Sequence, residues 1–172
     1  YQHPSFDAAK LKTARYSLSD NATGMYYDNF DENLIVFVDE LKGRKASLNI
    51  VDYSESTNEG STFPLVEGLN VLKPSKKGLI YIFYHVDNPY SLNPTDASEI
   101  KELESKSLKI HIATGRVNGY FDIRKHNNDD WKQIRDNAVC NEIDVLGIHS
   151  HVVWNVKDYQ DFNTNIVQMT NY

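Results

Sequence analysis

Six histidines, His3, His85, His111, His126, His149 and His151, are the side chains in this sequence best suited to metal or proton chemistry. A zinc hydrolase carries two histidines one helical turn apart with a glutamate between, which puts both imidazoles on one face and a general base beside the metal. None of the six is followed by glutamate, so no His-Glu-x-x-His helix exists in these residues. His149 and His151 are two apart and share one face of a strand, where they could pinch a metal if a neighbouring strand gave a third ligand. With no clustered Cys, Asp or Glu ligand, they read as strand-edge or turn residues after Gly147. His111 lies between Ile110 and Ile112 and reads as the wet face of its strand.

Nucleophilic chemistry is no better supplied. Ser150 stands between two histidines, but adjacent strand residues point to opposite faces, so no triad forms there. Cys140 follows a helical segment whose C-terminal dipole would raise a thiol pKa, giving a packed or idle group. "TGRVNG" has neither the spacing nor the following helix of a phosphate loop and reads as a turn. Trp131 and Trp154 read as packing residues, whereas Tyr26, Tyr27 and Tyr90 lie near turns and are the aromatics expected at the surface, where rings can stack on sugars. No catalytic, metal-ligating or binding residue is assigned at this level.

The elements that would position such residues are mostly strands. Short β-branched and aromatic runs cover Leu34 to Leu41, Ala46 to Tyr53, Gly68 to Lys73, Gly78 to Tyr84, Ser107 to Thr114, Asn118 to Arg124 and His151 to Val156. "ELKGRK" reads as a hairpin loop with Gly43 at positive φ, joining the first two. "GLIYIFY" does not alternate and is expected to be a central strand, buried on both faces. Three segments read as helix: "PSFDAAKLKTAR", a short piece within "NPYSLNPTDASEIKELESKS", and "NDDWKQIRDN", whose acids lie in the first turn where the helix dipole favours them. Seven or more short strands with peripheral helices make a mainly β protein, an antiparallel, jelly-roll-like sandwich.

Composition narrows the partners. The 172 residues suffice for one domain, and no apolar run is long enough to span a bilayer. A formal charge of −6, with scattered lysines and arginines, argues against a nucleic-acid partner. The single cysteine allows no internal disulfide. The chain opens on Tyr1 without a signal segment, which suggests that a portion has been removed. Tyr159, Phe162, Ile166 and Met169 recur at helical spacing with no cap behind them, which suggests an interface helix and further protein beyond. The expected organisation is an N-terminal helix or linker over 1–16, a sandwich over 17–156 and, over 157–172, the start of a helical segment.

"ATGMYY" (Ala22 to Tyr27), "LIVFVD", "GLNVLKPSKKGLIYIFY" and "SLKIHIATGRVNGYFDIRKHNNDDWKQIRDN" occur in an order that resembles the β-sandwich region of the enhancin-like zinc metallopeptidases. The shared features are a Thr-Gly turn at Thr23 and Gly24 followed by Met25 and Tyr26, the strand Gly78 to Ile82, and Tyr120–Phe121 ahead of the acid-rich helix Asp129 to Arg135. The family often has proline and a second glycine where this chain has Ala22 and Lys77. The resemblance implies an extracellular or cell-surface peptidase that attacks mucins and other O-glycosylated proteins. It also implies that the zinc site and its His-Glu-x-x-His helix follow this region in an adjacent catalytic domain. On that reading the chain holds no cofactor itself, zinc belongs to the parent protein, glycans are possible partners, and a carbohydrate-binding or adhesion module is the alternative.

Overall fold

The computed structural model describes residues 21–54, 61–85, 108–148, 150–157 and 165–170. Within them the chain forms eleven strands and two short helices. The strands are β1 (Asn21–Tyr27), β2 (Leu34–Val38), β3 (Lys45–Val51), β4 (Ser61–Leu65), β5 (Gly68–Leu72), β6 (Gly78–His85), β7 (Ile110–Ile112), β8 (Arg116–Val117), β9 (Tyr120–Asp122), β10 (Glu142–Leu146) and β11 (His151–Asn155). The helices are α1 (Asn128–Asn137) and α2 (Ile166–Thr170). The expected helices near the N-terminus and before Ser107 lie outside the described residues, as do Tyr159 and Phe162.

A five-stranded sheet in the order β4-β3-β6-β1-β8 and a three-stranded sheet in the order β5-β2-β7 are antiparallel throughout. They share one apolar core. Leu34, Val36 and Val38 enter it from β2, Ala46, Leu48 and Ile50 from β3, and Ile80, Ile82 and Tyr84 from β6. The central position expected for "GLIYIFY" is observed, since β6 pairs with β3 on one side and β1 on the other. Its lack of alternation has a direct cause: Leu79 and Tyr81, on the opposite face, are also buried.

The "ELKGRK" turn does not make a hairpin. Gly43 does take positive φ, as expected of that turn, and so does Lys42. Yet β2 pairs with β5 and β7 while β3 pairs with β4 and β6, so the turn carries the chain from one sheet to the other. The reason is burial: β2 and β3 each have an apolar face, and facing each other across the core covers both. Leu41, buried in the same core, plugs the crossing, and its N–H donates to Glu67 Oε1 at 2.7 Å.

A third sheet, β11-β10-β9, has a second core of its own. Here β9 and β10 run parallel with α1 between them in sequence, while β10 and β11 are antiparallel. Asn127 caps α1, its Oδ1 accepting from the N–H groups of Asp129 and Asp130, and Asp130 returns a bond to the Asn127 N–H. Trp131 thereby meets Phe121 edge-on, with ring centroids 5.9 Å apart. In α2, Ile166 is buried in this second core whereas Met169 is 46% exposed.

Candidate functional site

Two buried contacts join the sandwich to the second core, and each begins from a sequence feature. The first is the Thr-Gly pair, expected to form a turn but found inside β1 as a bulge between Ala22 and Met25. Gly24 adopts φ 68°, and a Cβ there would stand 2.8 Å from the Tyr120 ring. Its carbonyl accepts from the N–H groups of Asn118 and Gly119 at 2.8 and 2.9 Å, which pins the turn between β8 and β9 onto the sandwich. Asn118, 2% exposed, extends the joint: its Nδ2 donates to the Glu142 carbonyl, and its Oδ1 accepts from the Val139 and Cys140 N–H groups. All the amide's bonds go to backbone, so its role is to shape the loop leading into β10.

The second contact centres on Asp144 in β10, which is 1% exposed. Tyr81 of β6 donates its hydroxyl to Asp144 Oδ1 at 2.9 Å, and His151 Nε2 lies 2.7 Å from the same oxygen. Burial, then the Asp144 charge and the neighbouring Tyr53, push the Tyr81 phenol well above its usual range, so at neutral pH it stays a hydrogen-bond donor. The Tyr53 ring meets Tyr81 edge-on at 6.4 Å. A buried carboxyl with two donors on one oxygen is a structural tie, and it fixes the orientation of the His151 ring.

Of the histidine pair singled out by spacing, only His151 lies among the described residues. His151 gives its Nε2 to Asp144, and His149 lies outside the described residues, as do His3 and Tyr90. Zinc, which the resemblance implies for the parent protein, finds no donor set here: among the described residues no group of three or more His, Cys, Asp and Glu could hold a metal ion. Ser150 is exposed, and among the described residues no bond joins its hydroxyl to an imidazole. His111 is exposed as expected and stacks on Phe37. His126 has a different use, its Nδ1 accepting from the Asp122 N–H at 3.0 Å.

Beside these joints lies a polar cleft of about 870 Å³, walled on the sandwich side by Tyr26, Asp52 and Lys77 and on the other by Arg135, Asp136, residues 138–142, Val156 and Lys157. Cys140 lies in its wall, and its thiol donates to the Glu142 carbonyl at 3.1 Å. The thiol is pushed up to about 11, mainly by burial, so the raised value expected beside a helix C-terminus is found for another leading cause. Tyr26 is half-buried, and burial followed by the negative neighbours Cys140, Asp52, Asp28 and Glu142 raises its phenol to about 12. Tyr27, expected at the surface with it, is only 2% exposed: it points into the first core and donates its hydroxyl to the Glu32 carbonyl. Both tryptophans pack against the second core as expected. The residues that sequence reasoning missed are Asn118, Asp144 and Tyr81, whose roles depend on partners 7 to 63 positions away.

No family model and no curated protein matches the chain. Solved structures do. A metallopeptidase in complex with Tn antigen superposes with a TM-score of 0.73 at 22% identity, over 96% of this chain and 30% of that one. The fold is shared with part of that metallopeptidase. A second metallopeptidase, from Bacteroides thetaiotaomicron, gives a TM-score of 0.73 at 22% identity over 96% of this chain and 27% of its own. The catalytic module of the metalloprotease ZmpA from Clostridium perfringens gives 0.66 at 18% identity over 99% of this chain and 36% of that module. The chain therefore spans about a third or less of the first metallopeptidases it superposes on.

Proposed function

We propose that this chain is the non-catalytic, N-terminal β-sandwich portion of a secreted or surface zinc metallopeptidase that acts on O-glycosylated, mucin-like proteins. The observation that carries the reading is the superposition of nearly the whole chain on under a third of a metallopeptidase that was solved with Tn antigen bound. The zinc and the groups that activate water would belong to an adjacent catalytic domain of the same polypeptide. The sandwich over 17–156 would brace that domain, with 157–172 leading toward it. Among the described residues no helix is long and apolar enough to cross a membrane. The competing reading is a free-standing carbohydrate-binding or adhesion module, favoured by the polar cleft with Tyr26 in its wall.

The complete gene product separates the two. Purified from its source, it should cleave an O-glycosylated mucin-type reporter, spare the unglycosylated peptide and lose activity in a zinc chelator. Deleting 17–156 should abolish cleavage, and this chain alone should leave the reporter intact. Cleavage by the chain alone, or full activity after the deletion, overturns the proposal.

A further inference from the structure

We infer that the outer face of the β5-β2-β7 sheet is a docking surface for a covalently attached domain of the same polypeptide. β2 is a run of five apolar residues, Leu34 to Val38, with the same lack of alternation that in β6 goes with burial on both faces. Only one face of β2 is covered here. Leu34, Val36 and Val38 enter the first core, so Ile35 and Phe37 point the other way. The register sets Val71 beside Ile35, and Leu69 and His111 on either side of Phe37. Ala113, whose N–H donates to the Ile35 carbonyl, completes the second row. Phe37, Leu69 and Val71 are 45, 56 and 55% exposed. Single exposed apolar residues are ordinary, but a contiguous set on a face that should be polar marks a contact surface.

Size selects the occupant. Six side-chain positions, on strands about 4.8 Å apart with same-face residues about 6.8 Å apart, cover roughly 200 Å² of sheet. A stable complex between free partners, a second copy of this chain included, buries about 800 Å² on each side. A face of this size cannot hold a free partner, whereas a tethered one has already lost most of its translational freedom and meets the face at an effective concentration in the millimolar range. The rim is mixed in charge, with Asp39 and Glu67 against Lys73 and Lys109, all exposed, so the face offers apolar burial rather than net charge. The metallopeptidases on which the chain superposes have about two-thirds or more of their length outside the matched part, which is ample to supply such an occupant.

The occupant is the adjacent domain of the peptidase reading, and the assignment rests on that reading for the domain's presence. The test is maleimide labelling of Leu69→Cys, in a Cys140→Ser background, in this chain alone and in the complete gene product. In this chain the new thiol should react at a rate similar to that of Thr62→Cys, an exposed position on the edge strand β4. In the complete product it should react about tenfold or more slowly, while Thr62→Cys reacts alike in both. Val71→Lys should leave the thermal midpoint of this chain unchanged and restore fast labelling in the complete product. Overturning results are fast labelling in both proteins, slow labelling in this chain alone, equal slowing at Thr62→Cys, or labelling that slows as this chain is concentrated, which would make a second copy the occupant. Cleavage is not the readout. A product that cleaves the mucin-type reporter with Leu69→Cys unprotected sinks the docking surface alone, and one that protects it without cleaving sinks the peptidase reading alone.

Discussion

Removing the Asp144 carboxyl tests whether the two cores are one cooperative unit. In Asp144→Ala the Tyr81 hydroxyl, on a residue 2% exposed, and the His151 imidazole both lose the oxygen they share. A buried donor left unmatched costs about 1–3 kcal/mol, and a bond to a charged group contributes about 1.5–3 kcal/mol net. Tyr81 should bear most of this, because His151 is less deeply buried and water can reach it. The expected loss is about 3–4 kcal/mol, a large share of the roughly 5–15 kcal/mol that holds a domain of this kind together. Tyr81→Phe keeps the ring and should cost about 1.5–3 kcal/mol. The double variant should cost less than the sum by about 1 kcal/mol or more, because the two changes remove the same bond. Urea melts supply the assay. Both tryptophans sit in the second core, so their fluorescence reports that core, and far-UV circular dichroism reports the sheets together. In the parent the two signals should coincide, and in Asp144→Ala they should separate. A loss under about 0.5 kcal/mol, or strict additivity in the double variant, refutes the idea that this oxygen ties the cores.

Three further outcomes follow from burial and charge. Ile82→Ala, at a fully buried site in the first core, should cost about 2–5 kcal/mol by denaturant melt, whereas a substitution at exposed His111 should cost under about 0.5 kcal/mol. Cys140, raised to about 11, should react with iodoacetamide at pH 8 at least roughly tenfold more slowly in the folded than in the unfolded chain: the thiolate fraction falls by about two orders of magnitude, and the greater nucleophilicity of a more basic thiolate returns about one. Burial alone would raise the Asp122 carboxyl, but side-chain and backbone bonds from Arg124 outweigh it and hold the group below the usual aspartate value. Its contribution is therefore full above the unfolded value of about 3.9 and fades as pH falls toward its own lower one, so Asp122→Asn should flatten the acid limb of a stability–pH curve.

What the sequence disclosed, it disclosed through local pattern. The run Leu79 to Tyr84 has no polar face to give to water, and only a strand covered on both sides can satisfy it. The acids of its first turn mark the start of α1 by chemistry confined to a few residues, although the Asn127 cap before them went unread. The failures are of another kind. β10 went unread because Glu142 and Asp144 interrupt its apolar residues, and Asp144 is tolerable in a buried strand through a tyrosine 63 positions earlier and a histidine on the next strand. β1 was hidden by Thr-Gly, which spells a turn locally but serves as a bulge because a distant loop needs that carbonyl. Tyr27 was misplaced because nearness to a turn says nothing of which way an alternating strand points its last ring. The joints around the cleft are made of such long-range pairs, which is why no candidate site residue could be named beforehand.

The order of the five-stranded sheet also governs how the chain can be made. β1 leaves the ribosome first among the described strands, yet its neighbours are β6, reached by the Thr23 hydroxyl 57 positions later, and β8, later still. β3 likewise waits for β6 on one side. At roughly 5–20 residues per second, several seconds pass in which β1 and one edge of β3 have unpaired backbone and no central strand to close on. Gly78–His85 is thus the segment whose arrival converts a loose nascent chain into a sheet, and the interval before it is when a holding chaperone has the most exposed surface to bind.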